Sequence, residues 1–153
     1  MNQYTILFYY IKGLLEQDDL VNTITQGRFD ELDIEKANIF PLVHMDIISA
    51  NFVSEAVTSF NVQIAFLNQR DKVNEIKTDK FWKQDNEVDN FNETLAIANR
   101  LWLQLYRDLN KENITASLNA PLDKIDLEKT NILDGWLLDF EVQMPNTTIS
   151  LCS

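Results

Sequence analysis

The sequence predicts an α+β fold. Three observations carry it: apolar stripes of helical period at residues 2–16 and 90–109, a pair of alternating segments at 39–48 and 56–67, and a third alternating segment at 136–144. Side chains return to one face of a helix every three or four residues and to one face of a strand every two, so the two periods separate the classes. A chain of 153 residues favours one domain, 1–153, and can bury a core without disulfide or metal support.

The first helix is predicted over about 2–16, where Tyr4, Leu7, Phe8, Ile11, Leu14 and Leu15 make the stripe. Tyr9 and Tyr10 fall outside it, as core flank or as partner surface. A short apolar segment at 20–25 ends at Gly27, and the charged run 28–38 reads as a surface connection. In 39–48, Val43, Met45 and Ile47 alternate with His44 and Asp46, and Pro41 stands near the strand start, where a missing N–H is tolerated. Residues 51–55 read as a turn or bulge. In 56–67, Thr58, Phe60, Val62, Ile64 and Phe66 share a face, so these two strands form an antiparallel hairpin. The helix at 90–109 carries Phe91, Leu95, Ala98, Trp102, Leu105 and Leu109. Asp89 or Asn90 caps it, with Glu93 placed for a capping box. Residues 114–118 read as a short strand and 119–131 as a polar connection. A turn at Asp134-Gly135 launches the last strand, in which Trp136, Leu138, Phe140, Val142 and Met144 face one way and Leu137, Asp139, Glu141 and Gln143 the other. Pro145 ends it, and the tail 146–153 is loose or pairs elsewhere.

Charge narrows the function classes. With 24 acidic and 13 basic residues, the net charge is −11, which opposes a role in gripping nucleic acid. An acidic wall does suit a passage through which DNA slides without sticking, although solubility alone is the plainer reading. Cys152 is the single cysteine, so no internal disulfide exists and a reducing cytoplasm is the default compartment. No apolar run is long enough to span a membrane, and the first residues lack the basic leader and cleavage site of a signal peptide.

The chain shows little sign of catalytic chemistry. His44 is the lone histidine and cannot build a multi-histidine metal centre. Gly13, Gly27 and Gly135 are the only glycines, too few and too scattered for a phosphate-cradling loop. Paired acids such as Asp18-Asp19, or Asp85 with Asp89, are common on so acidic a surface, and nothing picks out one pair. The tripeptides at Asn92, Asn113 and Asn146 match the glycosylation pattern by coincidence in an Asn- and Thr-rich chain. The expectation is therefore no enzyme, no cofactor and no metal.

One segment stands apart. Five of the 13 basic residues, Arg70, Lys72, Lys77, Lys80 and Lys83, lie in the long connection at 68–90, with Phe81 and Trp82 among them. Connections this long are usually functional or disordered. One reading is a docking arm or hairpin, its cations meeting acidic partners and its aromatics serving as anchors. The other is a solvated loop whose aromatics fold back onto the core. Asp71, Glu75, Asp79 and Asp85 interrupt the cations and weaken a nucleic-acid arm.

Taken in order, these features resemble the tail terminator, or tail-completion, proteins of tailed bacteriophages. The resemblance spans about residues 1–145 and is most specific at Phe40-Pro41-Leu42-Val43-His44 and at Asp134-Gly135-Trp136 with the strand after it. It implies a small mixed or antiparallel sheet with two helices packed on one face. It also implies a homo-oligomeric ring, typically a hexamer, at the head–tail junction. Such a ring caps the tail tube and joins it to the head connector, with viral DNA passing through unbound and no membrane involved. The implied location is the virion tail or neck, and the host cytoplasm during assembly. The family's long inter-subunit loop would correspond to 68–90. A dodecameric ring adaptor of a short-tailed phage and a module that binds a host protein are the alternatives. Independently of the resemblance, a helix-backed sheet has edge strands ready to pair with a neighbour, and a head-to-tail ring joins two different patches of one chain.

Overall fold

The computed structural model describes residues 3–28, 40–69, 87–109, 115–116, 120–128 and 132–145. These form a mixed α+β fold in which one sheet is backed by two helices. Helix α1 spans Gln3–Glu16 and α2 spans Glu87–Leu109. The strands are β1 (Thr23–Gln26), β2 (Leu42–Phe52), β3 (Val57–Gln69), β4 (Thr115–Ala116), β5 (Leu122–Glu128) and β6 (Ile132–Pro145). Their order is β1-β2-β3-β6, with β4 and β5 both pairing with the far side of β6. Only β1–β2 is parallel; the remaining pairs are antiparallel.

Alternation along the strands decides which face the helices cover. Val43 and Met45 of β2, Phe60, Val62, Ile64 and Phe66 of β3, and Leu138, Phe140, Val142 and Met144 of β6 meet the helices in one core. Leu7, Ile11 and Leu15 come from α1, and Ile97, Ala98, Leu101 and Leu105 from α2. Rings lock the layers together. Trp102 meets Phe140 edge-on at 5.8 Å, and Phe91 meets Trp136 at 5.9 Å. The Trp136 indole also donates to the Phe91 carbonyl at 2.9 Å, so the polar tip of a half-buried ring is satisfied.

The two helices, the β2–β3 hairpin and the facing of the last strand fall where the periods place them, but Tyr4 and Leu95 of the expected helical stripes are exposed, and Ile97 and Leu101 fill the core from α2 instead. The differences are local and have physical causes. Asp134-Gly135 is not a turn, because β6 already runs from Ile132. A Cβ on Gly135 would stand 1.7 Å from the Phe66 carbonyl oxygen, so glycine is there for the close approach of β3. The polar connection expected at 119–131 contains β5, an edge strand paired with β6 from Leu122↔Leu138 to Glu128↔Ile132. Its charges obscured its alternation. Asn51 and Phe52 belong to β2 and not to a turn; the reversal comes at 53–56, where Val53 N–H donates to the Val57 carbonyl. Helix α2 begins at Glu87, three residues before the expected cap. Asn90 is buried inside its first turn, and its amide donates to the Gln69 carbonyl at 3.0 Å and to the Asp134 carboxylate at 3.3 Å. Glu93 accepts from the Asn68 amide instead of closing a capping box. Tyr9 is exposed, with Lys12 over its ring at 5.6 Å, whereas Tyr10 packs against the core.

Candidate functional site

Arg70, Lys72, Lys77, Lys80, Phe81, Trp82 and Lys83 lie outside the described residues, as do most of the connection at 68–90 and the tail 146–153. Asn68 and Gln69 end β3, and 87–90 open α2. The surfaces open to a partner are therefore read from the sheet and the helices.

The face of the sheet turned away from the helices changes character along its length. At one end Leu42, Ala65, Leu67, Ile125 and Leu133 form a second, smaller apolar cluster, flanked by Phe40 and Leu137. Toward the other end the cross-strand rows become polar: Asp46–Gln63–Asp139, then Ser49–Asn61–Glu141, then Asn51–Ser59–Gln143. Gln63 donates to Asp139 at 3.5 Å and Asn61 to Ser49 at 2.9 Å. Asp123 joins the same face opposite Leu137. Lys124 points to the helix side and lies over the Phe91 ring at 4.2 Å. The face is thus acidic and amide-rich, and among the described residues no cluster of acidic, His or Cys side chains is arranged to hold a metal ion.

The polar rows lead to the tip of the β2–β3 hairpin. Parallel pairing with β1 covers β2 only from Leu42 to Met45. A bulge between Ile47 and Ser49 then bends the strand, and from there to Phe52 no described strand pairs with the outer edge of β2. Large apolar side chains stand in solvent along this length: Ile48 is 49% exposed, Phe52 82% and Val53 50%. Phe52 is the most exposed of the large hydrophobic side chains described. Sequence reasoning missed Phe52 and Val53 because 51–55 reads as a turn or bulge, and Ile48 stands at the end of the alternating segment 39–48. The signal was present in IISANFV, an uncharged stretch in an acidic chain.

Among the described residues, two of the clefts lie against the helices. The larger, about 520 Å³, lies between the end of α1 and α2 and includes Leu14, Leu20, Leu101, Asp18 and Arg100. Asp19 also lines it, and Asp18 and Arg100 are spent on each other. Arg100 Nε donates to Asp18 Oδ2 at 2.8 Å and Nη2 to Oδ1 at 3.0 Å, a two-pronged pair that also receives the Leu20 N–H. Burial alone would raise the Asp18 pKa; the Arg100 hydrogen bond, the Leu20 N–H and the Arg100 charge outweigh it and hold the carboxyl below its ordinary range. Arg100 is pushed up, chiefly by the Asp18 hydrogen bond. The smaller cleft, about 410 Å³, is mostly apolar, with Leu95, Trp102, Leu122 and Leu138 in its walls.

Buried polar groups serve the fold. His44 is buried, with Nδ1 2.7 Å from the Thr25 hydroxyl and Nε2 2.8 Å from the Gly27 carbonyl oxygen. A carbonyl accepts only, so Nε2 carries the proton and donates to it. The bond fastens the end of β1 where Gly27, at φ 129°, takes a backbone conformation that other residues rarely adopt. Thr94 donates back to the Asn90 carbonyl at 2.7 Å within α2. Among the described residues every buried side-chain nitrogen and oxygen has a hydrogen-bond partner. No family model matches this chain, and no curated protein is detectably similar to it.

Proposed function

We propose that this chain is a structural virion subunit of a tailed bacteriophage. Copies form a ring at the head–tail junction that caps the tail tube and joins it to the neck connector. The observation that carries the reading is the β2–β3 hairpin. It presents uncovered Ile48, Phe52 and Val53 beside a length of strand edge that no described strand pairs. A lone globule gains nothing by holding a Phe at 82% exposure next to an edge that no described strand pairs, whereas an assembling subunit buries both against a neighbour.

The acidic sheet face supports the same reading. Asp46, Asp123, Asp139 and Glu141 repel a polyanion, which suits a wall past which DNA moves without binding. Several polar side chains are engaged in the fold: Asp18 with Arg100, Asn90 with Asp134 and Gln69, His44 with Thr25 and Gly27.

The test is size-exclusion chromatography with light scattering at low and high salt, with and without the tube protein of the same virus, followed by negative-stain electron microscopy. Closed rings with a central opening are the expected result. A strictly monomeric chain in every condition overturns the proposal.

A further inference from the structure

We infer that the stretch Lys80-Phe81-Trp82-Lys83 of one copy docks in the cleft between α1 and α2 of the next copy, its rings among the leucines and its lysines at the acidic rim. The inference deepens the assembly reading above by naming the two surfaces that meet, and it rests on that reading.

The cleft suits an amphipathic guest. Leu14, Leu20 and Leu101 give it apolar walls, and its volume of about 520 Å³ lies in the range of pockets that enclose a ligand. Leu20 is 38% exposed, so its side chain has area left to bury. The rim carries two carboxylates, Asp18 and Asp19, against one guanidinium, Arg100. Asp18 and Arg100 neutralise each other at 2.8 Å, and the exposed Asp19 leaves the rim negative. An apolar pocket with a negative rim accepts an aromatic anchor flanked by cations and repels nucleic acid.

Charge and reach identify the occupant. In a chain of net charge −11, residues 70–83 hold five bases against three acids, and KFWK sets two adjacent rings between lysines. The segment leaves β3 after Gln69 and rejoins the described chain at Glu87 of α2. At about 3.3–3.6 Å per residue, the Cα of Trp82 lies at most about 18 Å from that of Glu87. Arg100 and Gln104, on the cleft wall, stand roughly 20–26 Å along α2 from Glu87, at about 1.5 Å per residue. To seat Trp82 in its own cleft, residues 82–87 would have to run flat and fully stretched along the helix. The same cleft on a second copy is under no such constraint. Segment and cleft are different patches of one chain, so the contact is head-to-tail, the kind that closes a ring of identical subunits.

The test uses two full-length chains, both with Cys152→Ser, one carrying Lys83→Cys and the other Asp19→Cys. They are treated with a short thiol-to-thiol cross-linker, with and without tube protein. Neither chain alone is expected to cross-link, the mixture should give a dimer of one of each, and a chain bearing both cysteines should give a ladder. In a light-scattering series, Trp82→Ala is expected to raise the concentration needed for assembly about tenfold or more, with an unchanged far-UV circular dichroism spectrum. Asp19→Lys and Lys83→Glu should each weaken assembly and together restore it, which a folding defect does not do. If the wild-type chain assembles while the mixture gives no mixed dimer and Trp82→Ala assembles as before, the docking is overturned and the ring reading survives. A double-cysteine chain that cross-links only within itself also overturns the docking. If the ladder forms but electron microscopy shows open filaments and no rings, the docking stands and the ring reading falls. A chain that stays monomeric without cross-links in every condition sinks both.

Discussion

Replacing Gly135 with alanine should cost this domain a large part of its stability. The added Cβ would lie 1.7 Å from the Phe66 carbonyl oxygen, 2.8 Å from its carbon and 3.1 Å from Leu67 Cα, all backbone atoms that no rotamer change can move. A carbon–oxygen contact settles at about 3.3 Å or more, so β3 and β6 must part by roughly 1.5 Å at this point. That opening stretches the local ladder bonds beyond useful length, at about 0.5–1.5 kcal/mol for each, and overpacking adds about 1–3 kcal/mol. The sum is roughly 3–5 kcal/mol, against a total of about 5–15 kcal/mol for an ordinary domain. At this chain length, 1 kcal/mol moves Tm by about 2–4 °C, so a drop on the order of 10 °C is expected. Thermal unfolding followed by far-UV circular dichroism measures it. Gly13→Ala is the paired control with the opposite sign: nothing lies within 4 Å of its added Cβ, and it sits inside α1. Alanine there should stabilise by about 0.5–1 kcal/mol. A Gly135→Ala protein that melts within about 2 °C of wild type would refute the close-approach reasoning.

Three further outcomes follow from named contacts. Asp18→Asn should cost up to about 1 kcal/mol at pH 7, since Arg100 is half exposed. The folded Asp18 pKa lies below its ordinary 3.8, so the pair's contribution is complete above that value and is lost as pH falls through the lower folded value. Urea titrations should therefore show wild type and variant converging in acid, and an unchanged gap at pH 2.5 would contradict the ion pair. His44→Leu leaves the half-buried Gly27 carbonyl without its imidazole donor and should cost about 0.5–1.5 kcal/mol, with exchange of the β1 amides accelerated first; an unaltered exchange pattern would remove the histidine from its fastening role. Trp136→Phe deletes the bond to the Phe91 carbonyl while keeping an aromatic ring against α2, and should cost about 1 kcal/mol in chemical denaturation.

Much of the fold was legible because burial here follows simple periods. Leu7, Ile11 and Leu15 of the α1 stripe and the alternation of Phe60, Val62, Ile64 and Phe66 or of Leu138, Phe140, Val142 and Met144 place those residues in the core, whereas Tyr4 of the same stripe is exposed. What stayed hidden depends on neighbours distant in sequence. Gly135 reads as a turn residue until Phe66 is known to pass over it. Strand β5 reads as a polar connection because Asp123 and Lys124 of this edge strand are exposed, and among its described side chains only Ile125 is buried. Asn90 looks like a helix cap until its partners, Gln69 and Asp134, are seen from two other strands. The hairpin surface was legible only in part: the absence of charge in IISANFV shows in the sequence, but its place on an open edge depends on β1 stopping at Gln26.

Assembly is the claim on which the account turns, and the most direct measurement is the mass and shape of the purified chain. Light scattering across a concentration series, with electron microscopy of the same fractions, should give a multiple of the single-chain mass and closed rings once tube protein is added. A species with the mass of one chain at every concentration, with tube protein present and no rings on the grid, would contradict it.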